Sequence, residues 1–225
     1  MAAGEPAGLR RFEVAAARVE RWVAGFEERH GPARRSGALV LTAADGSVAR
    51  LTPFVANDRY AVSLASWAAH PPSVALLLVR RGGYAVGLAD RDALVAHKVG
   101  TRYVQSRTAA GGWSQQRFAR RRANQADALV DAVSGHMLAV LGGKRPQALV
   151  VGGDRGLVAE VLADPRLARL TALPRRELFD LRDPRRSVLA DALVRGRSVR
   201  VELRETAPHG TSEPYPWPGE RPQPR

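Results

Sequence analysis

The sequence predicts an α/β protein built in two parts. Three observations carry that expectation. Strand-like runs turned by a glycine pair fill residues 73–106. A proline-free stretch, 114–141, bears an apolar stripe at helical spacing. Strand and helix patterns then alternate as far as residue 203.

Residues 9–29 read as an amphipathic helix, because Leu9, Phe12, Val19, Trp22, Val23 and Phe26 recur at helical spacing. Gly31 and Pro32 stop it. Residues 38–41 and 48–51 read as strands joined through Asp45-Gly46, a hairpin dipeptide. His70-Pro71-Pro72 marks a boundary. Beyond it, Val74–Val79 is a buried strand, Gly82-Gly83 turns the chain, and Tyr84–Leu88 runs back. Ala93–Ser106 holds a third strand and the loop after it. In the long helix, Ala126, Leu129, Val130, Val133, Met137, Val140 and Leu141 face a sheet, and Gly142-Gly143 ends the element. Residues 148–151 form a strand, and 157–162 a short helix cut at Asp164-Pro165. A strand near 177–181 and a helix over 185–194 follow, with 199–203 as an edge strand. The expected fold is thus α/β, an RNase-H-like mixed sheet with an antiparallel meander and a long helix, preceded by a small α+β N-terminal module. The expected units are residues 1–72, 73–205 and a disordered Pro-rich tail, 206–225.

Charge is the chief compositional signal. The chain of 225 residues carries a formal net charge of +13. Such a balance points to nucleic acid, an acidic protein or an anionic membrane. Codon bias toward Arg, Ala, Gly and Pro contributes to it. That bias does not explain why acidic residues vanish between Asp92 and Asp127, where Lys98, Arg102, Arg107, Arg117, Arg120, Arg121 and Arg122 all lie. Lys98 and Lys144 are the only lysines, and arginine forks bind phosphate bidentately. With no cysteine, disulfides, thiolate nucleophiles and Cys-based zinc sites are excluded. No apolar signal core precedes Arg11, and the run Val74–Val79 is too short to span a bilayer. A cytoplasmic protein without a membrane role is expected. Nothing demands a dimer, so a monomer is expected too.

Within the acid-free window lies the segment Thr108–Gln116, with Gly111-Gly112, Trp113, Ser114, Gln115 and Gln116 in order. Ser114 suits the N-cap of the long helix. Arg117, Arg120, Arg121 and Arg122 then fall in its first turns. Cations there oppose the macrodipole at roughly 0.3–1 kcal/mol each. Arg117 and Arg121 add a like-charge i,i+4 pair. A placement that local helix physics disfavours points to function, here an anion site in which helix start and arginines act together. Glutamine is neither acid nor base near neutrality. It can orient a water, while adjacent backbone amides steady an oxyanion. Such a group catalyses only on an activated substrate, and an aminoacyl ester on an RNA 3′ end is one.

The stretch Gly111-Gly112-Trp113-Ser114-Gln115-Gln116-Arg117-Phe118-Ala119-Arg120-Arg121-Arg122 resembles the catalytic tip of the eukaryotic and archaeal class-I release factors, a Gly-Gly-Gln tip followed by Arg-Phe-x-Arg. The likeness runs from about Ser73 to Leu193 and takes in Gly82-Gly83-Tyr84 and Leu149–Gly153. Trp113 stands where the termination factors have their glutamine, so the spacing becomes Gly-x-x-Gln. That spacing is similar to the release-factor-like peptidyl-tRNA hydrolases of ribosome rescue, including the actinobacterial VLRF-type branch. The resemblance implies a peptidyl-tRNA hydrolase without cofactor, acting codon-independently on stalled large ribosomal subunits. It implies catalysis by Gln115, with Gln116 as the alternate and Gly111 and Gly112 as the hinge. Trp113 either stacks on a base or stiffens the loop. Lys98, Arg102, Arg107, Arg117, Arg120, Arg121 and Arg122 would grip ribosomal RNA and the peptidyl-tRNA. Stop-codon-reading motifs are not visible before Ser73, and no GTPase-docking domain is expected after Leu203. The alternative is a non-catalytic ribosome- or RNA-binding factor whose tip plugs a tunnel.

Other constellations carry less. The histidines His30, His70, His97, His136 and His209 form no cluster at metal-ligand spacing. His136 is expected to pack or to lie at the surface, and His97 borders the basic strand. Asp90, Asp92, Asp127 and Asp131 are positional candidates for a metal nuclease, but they do not read as a convergent set. Val150–Gly156 resembles a phosphate turn but lacks its Gly and Lys spacing, so it reads as a structural turn.

Overall fold

A computed structural model describes residues 9–36, 39–55, 71–91, 93–101 and 114–206, with the backbone alone over 114–123. In chain order the elements are β1 (Leu9–Val14), α1 (Val19–His30), β2 (Arg34–Ser36), β3 (Val40–Thr42), β4 (Val48–Thr52), β5 (Val74–Arg80), β6 (Gly83–Asp90) and β7 (Ala93–Thr101). Then come α2 (Ser114–Leu141), β8 (Ala148–Gly153), α3 (Arg155–Leu162), α4 (Ala168–Thr171), β9 (Arg175–Leu178), α5 (Arg186–Gly196) and β10 (Val199–Arg204). These strands form two five-stranded sheets.

The first sheet has the order β1-β10-β4-β3-β2 and is antiparallel throughout. Helix α1 covers one face, where Val19, Val23 and Phe26 pack on Leu41, Ala49, Leu51, Val199, Val201 and Leu203. Burial of each such side chain contributes about 1.5–3 kcal/mol. Two expectations are corrected here. Residues 9–14 are a strand, not the first turns of a helix. Phe12 and Val14 alternate with charged neighbours, and pairing to β10 in the register Phe12↔Val201 overrides the helical spacing. Residues 199–204 are an interior strand rather than an edge. β10 lies between β1 and β4, and its alternating Val199, Val201 and Leu203 fill the core under α1. Across the outer face, Arg11 meets Glu202 at 3.2 Å.

The second sheet has the order β7-β6-β5-β8-β9. β5, β6 and β7 form an antiparallel meander, while β8 and β9 run parallel to β5. The expected mixed sheet with its meander is present. Helices lie on both faces. α2 and α3 pack on Leu77, Val79, Val86, Leu88 and Val151. α5 packs through Val188, Leu189, Ala192 and Leu193 on Leu76, Leu78, Ala85 and Val150. Double coverage explains why β5 is apolar without alternation. The turn after β8 requires glycine at 153. Its φ is +99°, and a Cβ there would meet the Val79 carbonyl oxygen at 2.1 Å. Strand β9 begins two residues earlier than expected, at Arg175. Asp154 caps α3, accepting from the amides of Gly156 at 2.9 Å and Leu157 at 3.2 Å.

Two buried arginines tie the sheets together. Arg176 on β9 donates to the carbonyls of Ser198 (2.8 Å) and Arg195 (3.1 Å), and lies 3.7 Å from Glu13 on β1. Its guanidinium also sits 4.9 Å over the Phe54 ring. Burial pulls its pKa below the ordinary value, with Glu13 opposing. Arg197 donates to the Pro72 carbonyl at 2.8 Å and to the Arg91 carbonyl. Both place guanidinium donors on backbone carbonyls where the two sheets come together.

Candidate nucleic-acid interface

Helix α2 is two elements in one. Its C-terminal half carries Leu129, Val133, Met137 and Leu141 at i,i+4 spacing, all buried against the second sheet and α3. Arg166 fastens the middle, reaching Asp131 at 3.4 Å and Asp164 at 2.6 Å. The Arg166 hydrogen bond holds the Asp164 carboxyl at about 2, against an ordinary 3.8. Ahead of Leu129 the helix offers no buried side chain among the described residues. Its backbone runs on from 129 to Ser114, fifteen residues or about 22 Å of helix.

The helix is aimed by Tyr84 at the start of β6. Its ring stacks on His136 of α2 with centroids 5.3 Å apart and planes 16° apart. That ring lies across Gly100 of β7, where a Cβ would collide with it at 2.5 Å. Tyr84 thus fixes α2 relative to the end of β7, the strand from which the tip segment departs. His136 packs, as expected. The tyrosine–glycine–histidine stack was not foreseen. Its signal was Tyr84 directly after the Gly82-Gly83 turn.

Of the predicted site residues, Lys98 lies on β7 and is exposed. It pairs in register with Val86, which packs under α2, so Lys98 shares the α2 face of the sheet. Ser114, Gln115, Gln116, Arg117, Arg120, Arg121 and Arg122 lie on the first turns of α2, and the first turn holds no acidic residue. The helix opens at Ser114 itself, so that residue is its first position rather than the expected N-cap. Arg102, Arg107, Gly111, Gly112 and Trp113 lie outside the described residues. Lys98 and the arginines of α2 lie on different elements. From Arg122 to His136, beside the end of β7, is fourteen residues, about 21 Å along the helix. The arrangement is a cationic helix with a lysine at its foot, suited to phosphates spaced along a polyanion.

The remaining candidates resolve differently. Asp131 pairs with Arg166, and Asp92 lies outside the described residues. Among the described residues, no three His, Cys, Asp or Glu side chains converge on a point that could hold a metal. The amides that open α3 are taken up by Asp154, which makes residues 150–156 a structural turn. His97 is exposed on β7. No helix among the described residues is long and apolar enough to cross a membrane.

Fold and site together define a two-sheet α/β protein whose long helix opens with a run of arginines. Residues 72–202, more than half of the chain, match the family model described as Actinobacteria/chloroflexi VLRF1 release factor. The chain belongs to that release-factor family, and the family implies a ribosome-associated, release-factor-like role. No curated protein matches the chain.

Proposed function

We propose that this protein is a peptidyl-tRNA hydrolase that frees nascent chains from stalled large ribosomal subunits in the cytoplasm without reading a codon. One observation carries the reading. An α2 whose fully buried side chains begin at Leu129 among the described residues, and whose sequence is cationic from Arg117 to Arg122, begins two residues after Gly112. A helix built this way extends a short segment away from the protein body while its arginines track phosphates. Gln115 stands at its second position. There it would hold a water against the ester carbonyl, with backbone amides nearby stabilising the developing oxyanion. Gln116, one residue on, is the alternate. Gly111 and Gly112 would permit close approach of the backbone to the acceptor end. The strand order β7-β6-β5-β8-β9, antiparallel then parallel, supports an RNase-H-like assignment for this sheet.

The test is single-turnover release of labelled peptide from large subunits loaded with peptidyl-tRNA. Removing a group that stabilises the transition state costs about 10²–10³ in rate. Gln115→Ala should lose release on that scale while still binding the subunit. Release at the wild-type rate would remove Gln115 from the chemistry. Loss by Gln116→Ala alone would pass the role to its neighbour.

A further inference from the structure

A groove lies where the first sheet meets the second, far along the chain from the tip. It encloses about 710 Å³ between α1 and β1 on one side and the end of α5 on the other. Arg21, Trp22, Gly25 and Arg29 line it from α1, with Arg18 at the N-cap of that helix. Their spacing (18, 21/22, 25, 29) places them on one helix face. Gly25 leaves that face open at its centre, since a Cβ there would meet nothing within 4 Å. Phe12 and Trp22, tilted together at 5.8 Å, give an apolar floor, and Val194 opposite is 58% exposed.

Charge decides what the groove suits. Arg18, Arg21 and Arg29 are exposed, and no carboxylate among the described residues lies within ion-pair distance of any of them. The one acidic lining residue, Glu13, already faces Arg176 and Arg200, each at 3.7 Å. Arg195 on the far wall is held by Asp180 at 2.9 Å. Three unneutralised guanidinium groups in a row, over aromatic rings, match a single nucleic-acid strand. Phosphates would meet the arginines and sugar or base would meet the rings. The structure points to this groove as a second RNA contact, and we infer that it binds a single-stranded segment of ribosomal RNA when the protein sits on the large subunit. The inference rests on the ribosomal association that the family implies, and not on Gln115. It gives residues 9–30, which precede the family match, a role in placing the protein.

Because the chain has no cysteine, Gly25→Cys in the full chain can carry a single photoreactive thiol label, and the open space at Gly25 tolerates it. Bound to isolated large subunits and irradiated, it should cross-link to ribosomal RNA. Cross-links to ribosomal proteins alone, or none from a bound protein, would overturn the inference in favour of an acidic-protein partner or an idle groove. In parallel, Arg18→Ser, Arg21→Ser and Arg29→Ser together are compared with a charge-matched control, Arg34→Ser, Arg35→Ser and Arg145→Ser. The probe is a labelled single-stranded RNA of about 12 nucleotides, within the site sizes of sequence-indifferent grooves. The groove variant should bind at least about tenfold more weakly, with a log–log salt slope shallower by about 2, from about 0.7 per phosphate contact. Equal affinities and slopes for the two triple variants would sink the idea. The two readings fail separately: Gln115→Ala that still releases peptide leaves the cross-link untouched, and a missing cross-link leaves the release assay untouched.

Discussion

The two halves of α2 obey opposite rules. From Leu129 to Leu141 every fourth residue is apolar and buried, as a helix laid on a sheet requires. From Ser114 to Arg122 the first turn lacks any acid and the following positions add arginines, against the dipole of the same helix. One half follows the needs of the protein's own interior, and the other goes against the preferences of its own helix. The difference also separates two kinds of arginine. Arg176 and Arg197 are buried and donate to backbone carbonyls, whereas the arginines at 117 and 120–122 lie on the opening turns of α2, where the helix dipole disfavours them. Net charge alone counts both kinds as if they were free to meet RNA.

The strongest way to break that comparison is to cut into the packed half. Leu129→Ala should destabilise the fold by about 2–5 kcal/mol through the cavity it leaves. RNA affinity per folded molecule should be unchanged at a temperature where the variant remains native. Thermal denaturation together with RNA titration measures both. A loss of affinity without a loss of stability would erase the division drawn at Leu129. Next in size is Arg176→Ala. It takes the guanidinium donor from the Ser198 carbonyl, while the Arg195 carbonyl keeps the Ser198 amide, and leaving a buried group unsatisfied costs about 1–3 kcal/mol. Denaturant midpoints should fall while the salt slope of RNA binding stays fixed, because this cation serves the interior. A shallower slope would mean that Arg176 meets phosphate after all.

Most of the second sheet was legible because its signals are local. β5 through β7 are joined by short turns, and α2 has an uninterrupted apolar stripe. The first sheet was not legible in the same way. β1 was misread because Leu9 and Phe12 happen to extend the spacing of Val19, Trp22 and Phe26, while the partner that makes it a strand, β10, lies some 190 residues away in the chain. β10 was read as an edge for the same reason. Its two neighbours, β1 and β4, belong to the opposite end of the sequence. Pairing across such distances leaves no trace in periodicity. In the candidate site, residue identities could be read but not their grouping. Lys98 and the α2 arginines share one acid-free window, yet they lie on different elements, β7 and α2. The groove leaves little trace in the sequence, because Trp22 belongs to the apolar stripe of α1 and masks the row of Arg18, Arg21 and Arg29 beside it.

A smaller effect sharpens the comparison by its sign. Arg117 occupies the fourth position of α2. Arg117→Glu replaces a charge that the helix start repels with one that it favours, worth about 0.3–1 kcal/mol. It also turns the Arg117–Arg121 repulsion into attraction, a few tenths more. The melting temperature should rise while affinity for large subunits and peptide release both fall. Gain in stability with loss of function is the signature of a residue kept for an external partner. A parallel loss of both would place Arg117 among the structural residues.

The smallest effect concerns the anchor between the halves. The carboxyl of Asp164 is lowered to about 2, first by the Arg166 side-chain hydrogen bond and then by the Arg166 backbone amide. A depressed carboxyl stabilises the folded state while it is ionised. Its contribution is complete above about pH 4 and disappears as the pH falls through about 2. Asp164→Asn should therefore be less stable than the parent at neutral pH, and the gap between them should close as the pH drops from about 4 toward 2. Because Arg166 also reaches Asp131, the same variant should speed amide hydrogen exchange on α2 around residue 131 more than at 137–141. Uniform acceleration along the whole helix would show that α2 opens as one unit. The independence of its two halves would then be a feature of charge alone.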